Sequence, residues 1–241
     1  MTTVFVSDIH GNLEALQAVL AAVDTYAPDR IICVGDVVGY GASPNECLDL
    51  VRSRCKTVLL GNHDAAASGG PEIARFNIHA RVAAEWTSRI LTRENREFLQ
   101  RLPLTHEGDG FLCVHASPAT PRDWEYLLDR FDAEPQFAYF NVPVCFIGHT
   151  HQPAIFMADP GGCRSLPVGS LSLDPQRRYI VNVGSVGQPR DRDPRACFVV
   201  YHELASRIEY VRVPYPVETA QEKIRAARLP EVLATRLATG E

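Results

Sequence analysis

Five short apolar runs along the chain each stop abruptly at a polar turn. The runs are TVFVS, RIICV, KTVLL, GFLCV and VPVCFI. Each is continuous and does not alternate between apolar and polar positions, which is typical of central strands that are covered on both faces. The pattern therefore predicts five buried strands.

Helical patterns separate the first three of these strands. After Asn12, a favourable N-cap, apolar side chains recur at helical spacing from Leu13 to Val23. Pro44 stands at the preferred first position of a second helix. Strands that alternate with helices predict a wound α/β sheet, in which ligands bind beyond the carboxyl ends of the strands.

The remainder of the chain has a different texture. Residues 73–102 have a helical pattern and are expected to form a partial cap over the site. Short strand-like runs between Pro/Gly turns predict a second, mainly antiparallel sheet over residues 154–215, and residues 217–241 are expected to form surface helices. We expect residues 1–241 to form a single domain.

Composition narrows the class of protein. Hydrophobic residues make up 46% and charged residues 22%, as in an ordinary globular domain. The net charge of −5 argues against binding nucleic acid or an anionic membrane through bulk electrostatics. Seven cysteines without a CxxC pair do not indicate a disulfide framework. With no signal-like N-terminus and no apolar run near ~18 residues, we expect a reduced, cytoplasmic protein.

The polar residues that follow the five strands form a mixed set of carboxylate, amide and imidazole groups. They are Asp8, His10, Asp36, Asn62, His63, His115, His149 and His151. Such N/O donors suit Mn, Fe, Zn, Co or Ni better than copper or an iron-sulfur cluster. They are too many for one ion, but suit two ions that share a carboxylate.

The pair His149 and His151 strengthens this interpretation. A single histidine is usually satisfied by an ordinary hydrogen bond in the core or on the surface. In extended backbone, however, residues two apart point to the same side, so both imidazoles could converge on a metal ion or a phosphate.

In this order, the motifs Asp-x-His, Gly-Asp, Gly-Asn-His-Asp, a single His and Gly-His-x-His resemble the calcineurin-like metallophosphoesterase superfamily over residues 4 to about 190. The segments GDVVGYG, SPNECLDLV, GNHDAA and GSVGQPRDRDPRACF resemble its small single-domain prokaryotic members. The resemblance implies a four-layer α/β/β/α sandwich of two mixed sheets flanked by helices, with a metal site at the C-terminal ends of the strands. It also implies two divalent ions, with manganese favoured and Fe, Zn, Co or Ni as alternatives.

The resemblance further implies a division of the ligands between the two ions. Asp8, His10 and His151 would hold one ion, Asn62, His115 and His149 the other, and Asp36 would bridge them. Two cations ~3.5–4 Å apart can share a water, lower its pKa and present hydroxide in line with a phosphorus atom. Two divalent ions carry four positive charges, and the carboxylates of Asp8 and Asp36 and one hydroxide cancel three of them. The site keeps a net charge of roughly +1, so that an acidic protein can still attract a phosphate.

Residues next to these motifs are candidates for further roles. His63 is not needed as a ligand, and we assign it as the acid that protonates the leaving alkoxide, with Asp64 orienting its ring; a hydrogen-bonding role behind the ligands is the alternative for His63. Asn12 caps a helix, contacts phosphate, or does both, the cap being favoured. Tyr40 is expected to line the substrate pocket.

Arg190 is a candidate phosphate clamp, although a solvated turn arginine is equally consistent with its sequence. The superfamily's protein serine/threonine phosphatases carry an arginine shortly after Gly-Asp, and the segment GDVVGYG has none. This difference argues against the alternative of a protein serine/threonine phosphatase.

The sequence therefore predicts a dinuclear metal-dependent phosphoesterase for small phosphodiesters or phosphomonoesters, with nucleotides as the favoured class. A catalytically silent metal-binding scaffold or sensor of the same fold is the alternative, and it is disfavoured because every motif position is filled. The expected partner is a small phosphate ester, without stable binding to nucleic acid or membrane. The sequence leaves the oligomeric state and the choice between diester and monoester open.

Overall fold

Twelve strands form two six-stranded sheets in the computed structural model, which describes residues 1–241. The strands are β1 (Thr2–Val6), β2 (Arg30–Cys33), β3 (Thr57–Val58), β4 (Thr105–Gly108), β5 (Phe111–Val114), β6 (Val144–Ile147), β7 (Ala154–Asp159), β8 (Gly162–Leu166), β9 (Leu171–Ser172), β10 (Tyr179–Asn182), β11 (Ala196–His202) and β12 (Arg207–Val213). The helices are α1 (Leu13–Asp24), α2 (Pro44–Arg54), α3 (Asn62–Ala67), α4 (Ile78–Ile90), α5 (Arg93–Leu99), α6 (Arg130–Ala133), α7 (Val217–Ala226) and α8 (Glu231–Thr235). The five strands predicted from the apolar runs are present as β1, β2, β3, β5 and β6.

The first sheet joins strands from the two ends of the chain. Its order is β3-β2-β1-β11-β12-β9. The strands β3, β2 and β1 run parallel, whereas β11 pairs with β1 in the antiparallel direction, so that Val4 lies opposite both Ile31 and Val200. This arrangement buries β1 at the centre of the sheet.

The second sheet has the order β4-β5-β6-β10-β7-β8, with β5, β6 and β10 parallel and the outer strands antiparallel. Within the range 154–215 that was predicted to form the second sheet, β7, β8 and β10 lie in it, but the prediction is wrong for β9, β11 and β12, which belong to the first sheet. The physical reason is that β11 pairs with the free edge of β1. That edge is then closed to β5 and β6, which pair with each other in a separate sheet. Periodicity within a strand does not reveal a partner that is almost 200 residues away.

The two sheets pack face to face through aromatic side chains. The ring of Phe5 in β1 stacks on Phe146 in β6 with centroids 3.8 Å apart and planes 16° apart. Phe111 in β5 meets Phe5 edge to face at 5.3 Å. All three side chains are fully buried, and together they hold the carboxyl ends of β1 and β6 side by side.

Helices cover the outer face of each sheet. Leu16 and Val19 of α1 pack in one core cluster with Val4, on the first sheet, and the helices α2, α4, α7 and α8 contribute to the same cluster. Phe137 and Phe140 cover the outer face of the second sheet. The four-layer α/β/β/α class is thereby confirmed.

Two further expectations concern the chain as a whole. All seven cysteines are free thiols, and six of them are buried. None of the helices combines the length and the apolar character needed to span a membrane.

Candidate metal centre

The residues predicted to bind metal converge at the carboxyl ends of β1, β2, β3, β5 and β6. They are Asp8, His10, Asp36, Asn62, His115, His149 and His151, and none is more than 7% exposed. Backbone hydrogen bonds tie the loops together: the N–H of His10 donates to the carbonyl of Asp36 at 3.0 Å, and that of Gly148 to His115 at 2.9 Å. The two packed sheets therefore gather side chains that are far apart in the sequence.

The loops reach this arrangement through left-handed backbone. Asp8, His10, Asp36, His149 and His151 have φ angles between 51° and 69°, a region that non-glycine residues rarely adopt. The assumption that His149 and His151 converge because their backbone is extended is therefore wrong. Left-handed backbone at His149 and again at His151 brings the two rings to the site, and such strain is typical of functional positions.

Backbone carbonyls determine which nitrogen of each imidazole is free. The Nδ1 atoms of His10, His115 and His151 lie 3.0, 2.9 and 2.6 Å from the carbonyl oxygens of Val38, Val34 and Gln188. Because a carbonyl oxygen only accepts, each Nδ1 carries a proton, and in the neutral ring Nε2 is the nitrogen left with a lone pair. Without metal, the His115 ring carries a second proton on Nε2, 3.3 Å from Asp36. In His149 the roles are reversed, since Nε2 lies 2.9 Å from the carbonyl of Trp124 and Nδ1 is left free. Such carbonyl contacts typically orient histidine ligands of metals.

The free nitrogens of His10 and His151 face each other at 3.0 Å. With both protons on Nδ1, no proton remains to join the two Nε2 atoms, and their lone pairs repel. A cation between them removes this conflict. Two nitrogens bound ~2.1 Å from one ion at about 90° would themselves lie about 3 Å apart.

The donor atoms form three compact groups, each within 4.8 Å. The groups are Asp8, His10 and His151; Asp36, His115 and His149; and His10, Asp36 and His63. Asp36 belongs to two of them, with Oδ2 at 3.3 Å from His115 Nε2 and 3.7 Å from His10 Nε2. The expected ligands thus include buried atoms without any hydrogen-bond partner, namely Asp8 Oδ1, Asn62 Oδ1 and His115 Nε2. Unpartnered oxygen and nitrogen atoms of this kind are suitable ligands for divalent cations.

Burial and neighbouring charges shift the pKa values of the ionisable side chains in the site. Burial raises the pKa of Asp36, but the imidazoles of His115 and His63 outweigh it and hold that pKa far below its ordinary value. Burial lowers the pKa of His115, but Asp36 reverses this and raises it to about 9. Burial lowers the pKa of His149 to about 4 and lowers the pKa of His63 and His151.

The expectation that Asp64 orients His63 is wrong. Both carboxylate oxygens of Asp64 accept backbone N–H groups at 3.1 Å, Oδ1 from Val38 and Oδ2 from Gly61. The Nδ1 atom of His63 is buried without a partner. Asp64 therefore joins the loop after β2 to the start of α3, and its position after His63 in the sequence reflects this backbone role.

The three predicted substrate residues differ in their surroundings. Tyr40 is buried, with its ring 4.4 Å from that of His63. The guanidinium of Arg190 lies 5.6 Å from the centre of the Tyr40 ring, and its Nε has no partner. Asn12 uses its amide for structure, since Oδ1 accepts from the N–H of Ala15 and Nδ2 donates to the carbonyl of Gly187. The cap is thus the observed role of Asn12.

Sequence reasoning missed four residues beside the site. Phe76 lies 4.4 Å from the ring of His63, and Tyr126 stacks on His149 at 4.1 Å. Trp124 supplies the carbonyl that contacts His149, and Arg236 reaches the Gln188 side chain that also holds Arg190. These residues lie in irregular segments or a C-terminal turn, where no periodic pattern or motif signals them. The aromatic pair Trp124 and Tyr126, two residues apart, is the only signal in the sequence.

Comparison with known proteins places this site in a family. The model of the calcineurin-like phosphoesterase family matches residues 1–153, which include all seven expected ligands. An uncharacterized protein of Methanocaldococcus jannaschii is 41% identical over 239 residues, covering 98% of this chain and 96% of that protein. The crystal structure of a metallophosphoesterase from Sphaerobacter thermophilus superposes with a TM-score of 0.89 at 40% identity, covering 100% of this chain and 99% of that chain.

A symmetrical bis(5'-nucleosyl)-tetraphosphatase of Actinobacillus succinogenes is a more distant relative. It is 32% identical over 136 residues, which cover 52% of this chain and 46% of that enzyme. The chain thus spans less than half of that relative's length. Taken with the full-length matches and the family model, the buried donor set shows that the chain belongs to the calcineurin-like phosphoesterase family and is a hydrolase of phosphate esters.

Proposed function

We propose that the chain is a dinuclear metal-dependent phosphoesterase that hydrolyses small, nucleotide-like phosphate esters. The observation that carries the proposal is the pair of nitrogens Nε2 of His10 and His151, 3.0 Å apart, in a centre where Asp8 Oδ1 and Asn62 Oδ1 are also buried without a partner. A buried polar cluster of this kind is costly unless cations complete it.

The donor groups support two positions for divalent ions. Asp8, His10 and His151 would hold one ion, and Asn62, His115 and His149 the other. Asp36, which lies within reach of both groups, would bridge them, and manganese is our first choice for both. When bound, two such ions act as Lewis acids and lower the pKa of the attacking water.

In this proposal, His63 would deliver a proton to the leaving group. Its Nδ1 is buried against the backbone of Gly39: a Cβ atom built on Gly39 would lie only 2.6 Å from this nitrogen. Nε2 is therefore the nitrogen that can reach a substrate. Burial lowers the pKa of His63 and keeps the free ring neutral. The negative phosphate of a bound substrate offsets this effect of burial and favours the protonated ring.

Arg190 supplies the charge that would grip the non-reacting phosphate oxygens. It has no carboxylate partner, and its Nη2 donates only to Gln188 at 2.8 Å. Arg236 approaches the same Gln188 oxygen at 3.3 Å, so two guanidinium groups converge next to Tyr40. This pair would replace the arginine that is missing from the segment after Asp36.

The nucleotide class is supported by the similarity to symmetrical bis(5'-nucleosyl)-tetraphosphatases. The test combines metal analysis with hydrolysis. Protein reconstituted with manganese should bind two equivalents and cleave bis-p-nitrophenyl phosphate or p-nitrophenyl phosphate, and the ratio of the two rates separates a diesterase from a monoesterase.

Asp36→Asn should lose at least one metal equivalent together with activity, because it weakens the bridging ligand. Lys56→Ala, a surface change outside the site, serves as the control. Fewer than two equivalents at saturating manganese would rule out the dinuclear proposal. Two bound equivalents without hydrolysis of any ester would instead indicate the scaffold.

A further inference from the structure

A cavity of about 130 Å³ opens directly beside the proposed metal centre. Two expected ligands, Asn62 and His149, line one end of it. Its aromatic walls come from Phe76, Trp124 and Tyr126, and charged side chains complete the lining. We propose that this cavity binds the nucleoside part of the substrate, an inference that rests on the proposed function and deepens it.

Two aromatic rings give the cavity flat apolar walls next to the reacting centre. Phe76 lies against His63, with ring centroids 4.4 Å apart and planes 31° apart. Tyr126 stacks on His149 at 4.1 Å and 22°, and half of its surface remains exposed. An exposed aromatic face of this kind is suited to stacking on a planar base.

Two residues that line the cavity carry buried polar atoms without partners. The indole Nε1 of Trp124 and the carboxylate Oε2 of Glu72 belong to residues that are only 7% and 9% exposed. An unsatisfied buried donor and an unsatisfied buried acceptor are both unfavourable until a ligand pairs with them. A ligand that pairs with both atoms would offer an acceptor to Trp124 and a donor to Glu72. A nucleoside has both, since ring nitrogens accept while amino and ribose hydroxyl groups donate.

The backbone of Trp124 connects the wall of the cavity to the metal site. Trp124 has a φ of 58°, which is strained for a bulky residue. The same residue places its carbonyl 2.9 Å from His149 Nε2. The strained turn thus links a metal-site histidine to the wall of the cavity, so that the bound group would lie at a fixed distance from the reacting phosphate.

The charge of the cavity favours a neutral group over a second phosphate. A neighbouring cavity of about 220 Å³ shares Glu72, Arg75 and Trp124 and adds Arg122. The carboxylates of Glu72 and Asp123 offset the guanidinium groups of Arg75 and Arg122. These groups together leave no net positive charge to attract an anion, in contrast to the surroundings of Arg190, which lies outside both cavities.

The first experiment measures binding without turnover. Trp86→Phe leaves Trp124 as the only tryptophan, because the chain contains two. Adenosine, which has no phosphate, is titrated into this manganese-loaded protein while Trp124 fluorescence is recorded. Saturable quenching is expected. Tyr126→Ala in the same background should weaken the affinity roughly fivefold to hundredfold, the range for loss of a base-stacking ring.

Tyr139→Ala is the matched control, since Tyr139 is similarly exposed at 59% but lies outside the cavity. Its adenosine affinity should equal that of the background protein. Manganese content is measured in each variant, so that a disturbed metal centre is recognised. An absence of saturable quenching up to millimolar adenosine, or an equal loss in both tyrosine variants, would overturn the proposal.

The second experiment compares kcat/KM for a nucleotide ester and for glycerol phosphate, which lacks a planar ring. Tyr126→Ala should lower the ratio of the two by the same five- to hundredfold, and an unchanged ratio would overturn the proposal. Ester hydrolysis without adenosine binding refutes the nucleoside cavity but leaves the proposed function intact. Adenosine binding without hydrolysis of any ester refutes the proposed function alone.

Discussion

At the residue scale, His63 and Asp64 are neighbours with different environments. The imidazole faces Tyr40 and the metal centre, whereas the carboxylate is consumed by two backbone N–H groups. One residue is therefore free for proton transfer and the other is a structural anchor. Separate substitutions should distinguish the two roles.

His63→Ala should retain two metal equivalents and lose activity according to the leaving group. Acid catalysis typically contributes ~10²–10⁴-fold, so kcat on an alkyl phosphate ester should fall by roughly that factor. A p-nitrophenyl ester, whose leaving group needs no proton, should be affected much less. Steady-state kinetics on both esters test this, and an equal loss on both would remove His63 from the role of acid.

Asp64→Asn should act on stability more than on chemistry. The NH2 group of the asparagine would face at least one backbone N–H, so that two donors meet without an acceptor. Leaving such buried groups unsatisfied lowers the free energy of unfolding by about 1–3 kcal/mol. Urea unfolding should show a lower free energy of unfolding by that amount. If instead Asp64→Asn reproduces the leaving-group dependence of His63→Ala at unchanged stability, Asp64 orients the imidazole after all.

At the scale of elements, the site depends on how closely the loop after β10 packs on the loop after β1. The N–H of Gly187 donates to the carbonyl of Asp8 at 2.9 Å, and the hydroxyl of Ser185 donates to the same carbonyl at 2.8 Å. Asn182, at the end of β10, donates to the carbonyl of Gly148 at 2.6 Å. These contacts hold the Asp8 and His149 motifs together.

Gly187→Ala should break this packing. A Cβ at Gly187 would lie 1.8 Å from the carbonyl oxygen of Ile9, so the two loops must separate. We expect a loss of about 1–3 kcal/mol in the free energy of unfolding, together with weaker manganese binding. Calorimetry with and without manganese measures both effects.

Gly161→Ala is the control for this substitution, because its Cβ would meet nothing closer than 4.0 Å. Its stability should stay within about 0.5 kcal/mol of the parent. Equal stability and manganese affinity for the two variants would show that the loops are not held by this contact.

At the scale of the whole molecule, the metal centre makes stability depend on pH when metals are removed. His63, His149 and His151 have lowered pKa values in the folded state, about 4 for His149. The unfolded chain takes up these protons near its ordinary pKa of ~6.5. Stability is therefore fully present above that pH and is lost as the pH falls toward 4.

The other ionisable groups of the site change the loss of stability between pH ~6.5 and ~4 only slightly. The pair of His115 and Asp36 contributes a constant amount between pH ~6.5 and ~4, because His115 is protonated and Asp36 ionised throughout. Burial raises the pKa of Asp64, which opposes the loss, but it is one group against three histidines. The midpoint of thermal unfolding of chelator-treated protein should therefore fall steadily from pH 6.5 to 4. A flat or rising midpoint would contradict the buried neutral histidines.

Manganese added at pH 7 should raise the same midpoint. Binding to the folded state alone contributes about 2.7 kcal/mol at a hundredfold excess over Kd. The increase should be saturable and should shrink as the pH approaches 5, where protons compete for the imidazoles. Calcium, which prefers all-oxygen sites, is the control cation and should stabilise far less.

The amino-acid sequence by itself determined the five buried strands, the helices between them and the polar groups at the strand ends. It could do so because apolar periodicity and motif order are local properties of the chain. Those patterns also led to the correct fold class, enzyme class and family, and the expected ligands of the two ions lie together, although their binding of metal remains a prediction.

Only the tertiary structure decided the rest. It assigned β11 and β12 to the first sheet, turned His149 and His151 inward through left-handed backbone, and committed both oxygens of Asp64 to backbone donors. It also brought Phe76, Trp124 and Tyr126 beside the metal centre. Each of these outcomes depends on contacts between residues distant in the chain or on a backbone turn, and neither is encoded in a local pattern of apolar and polar positions.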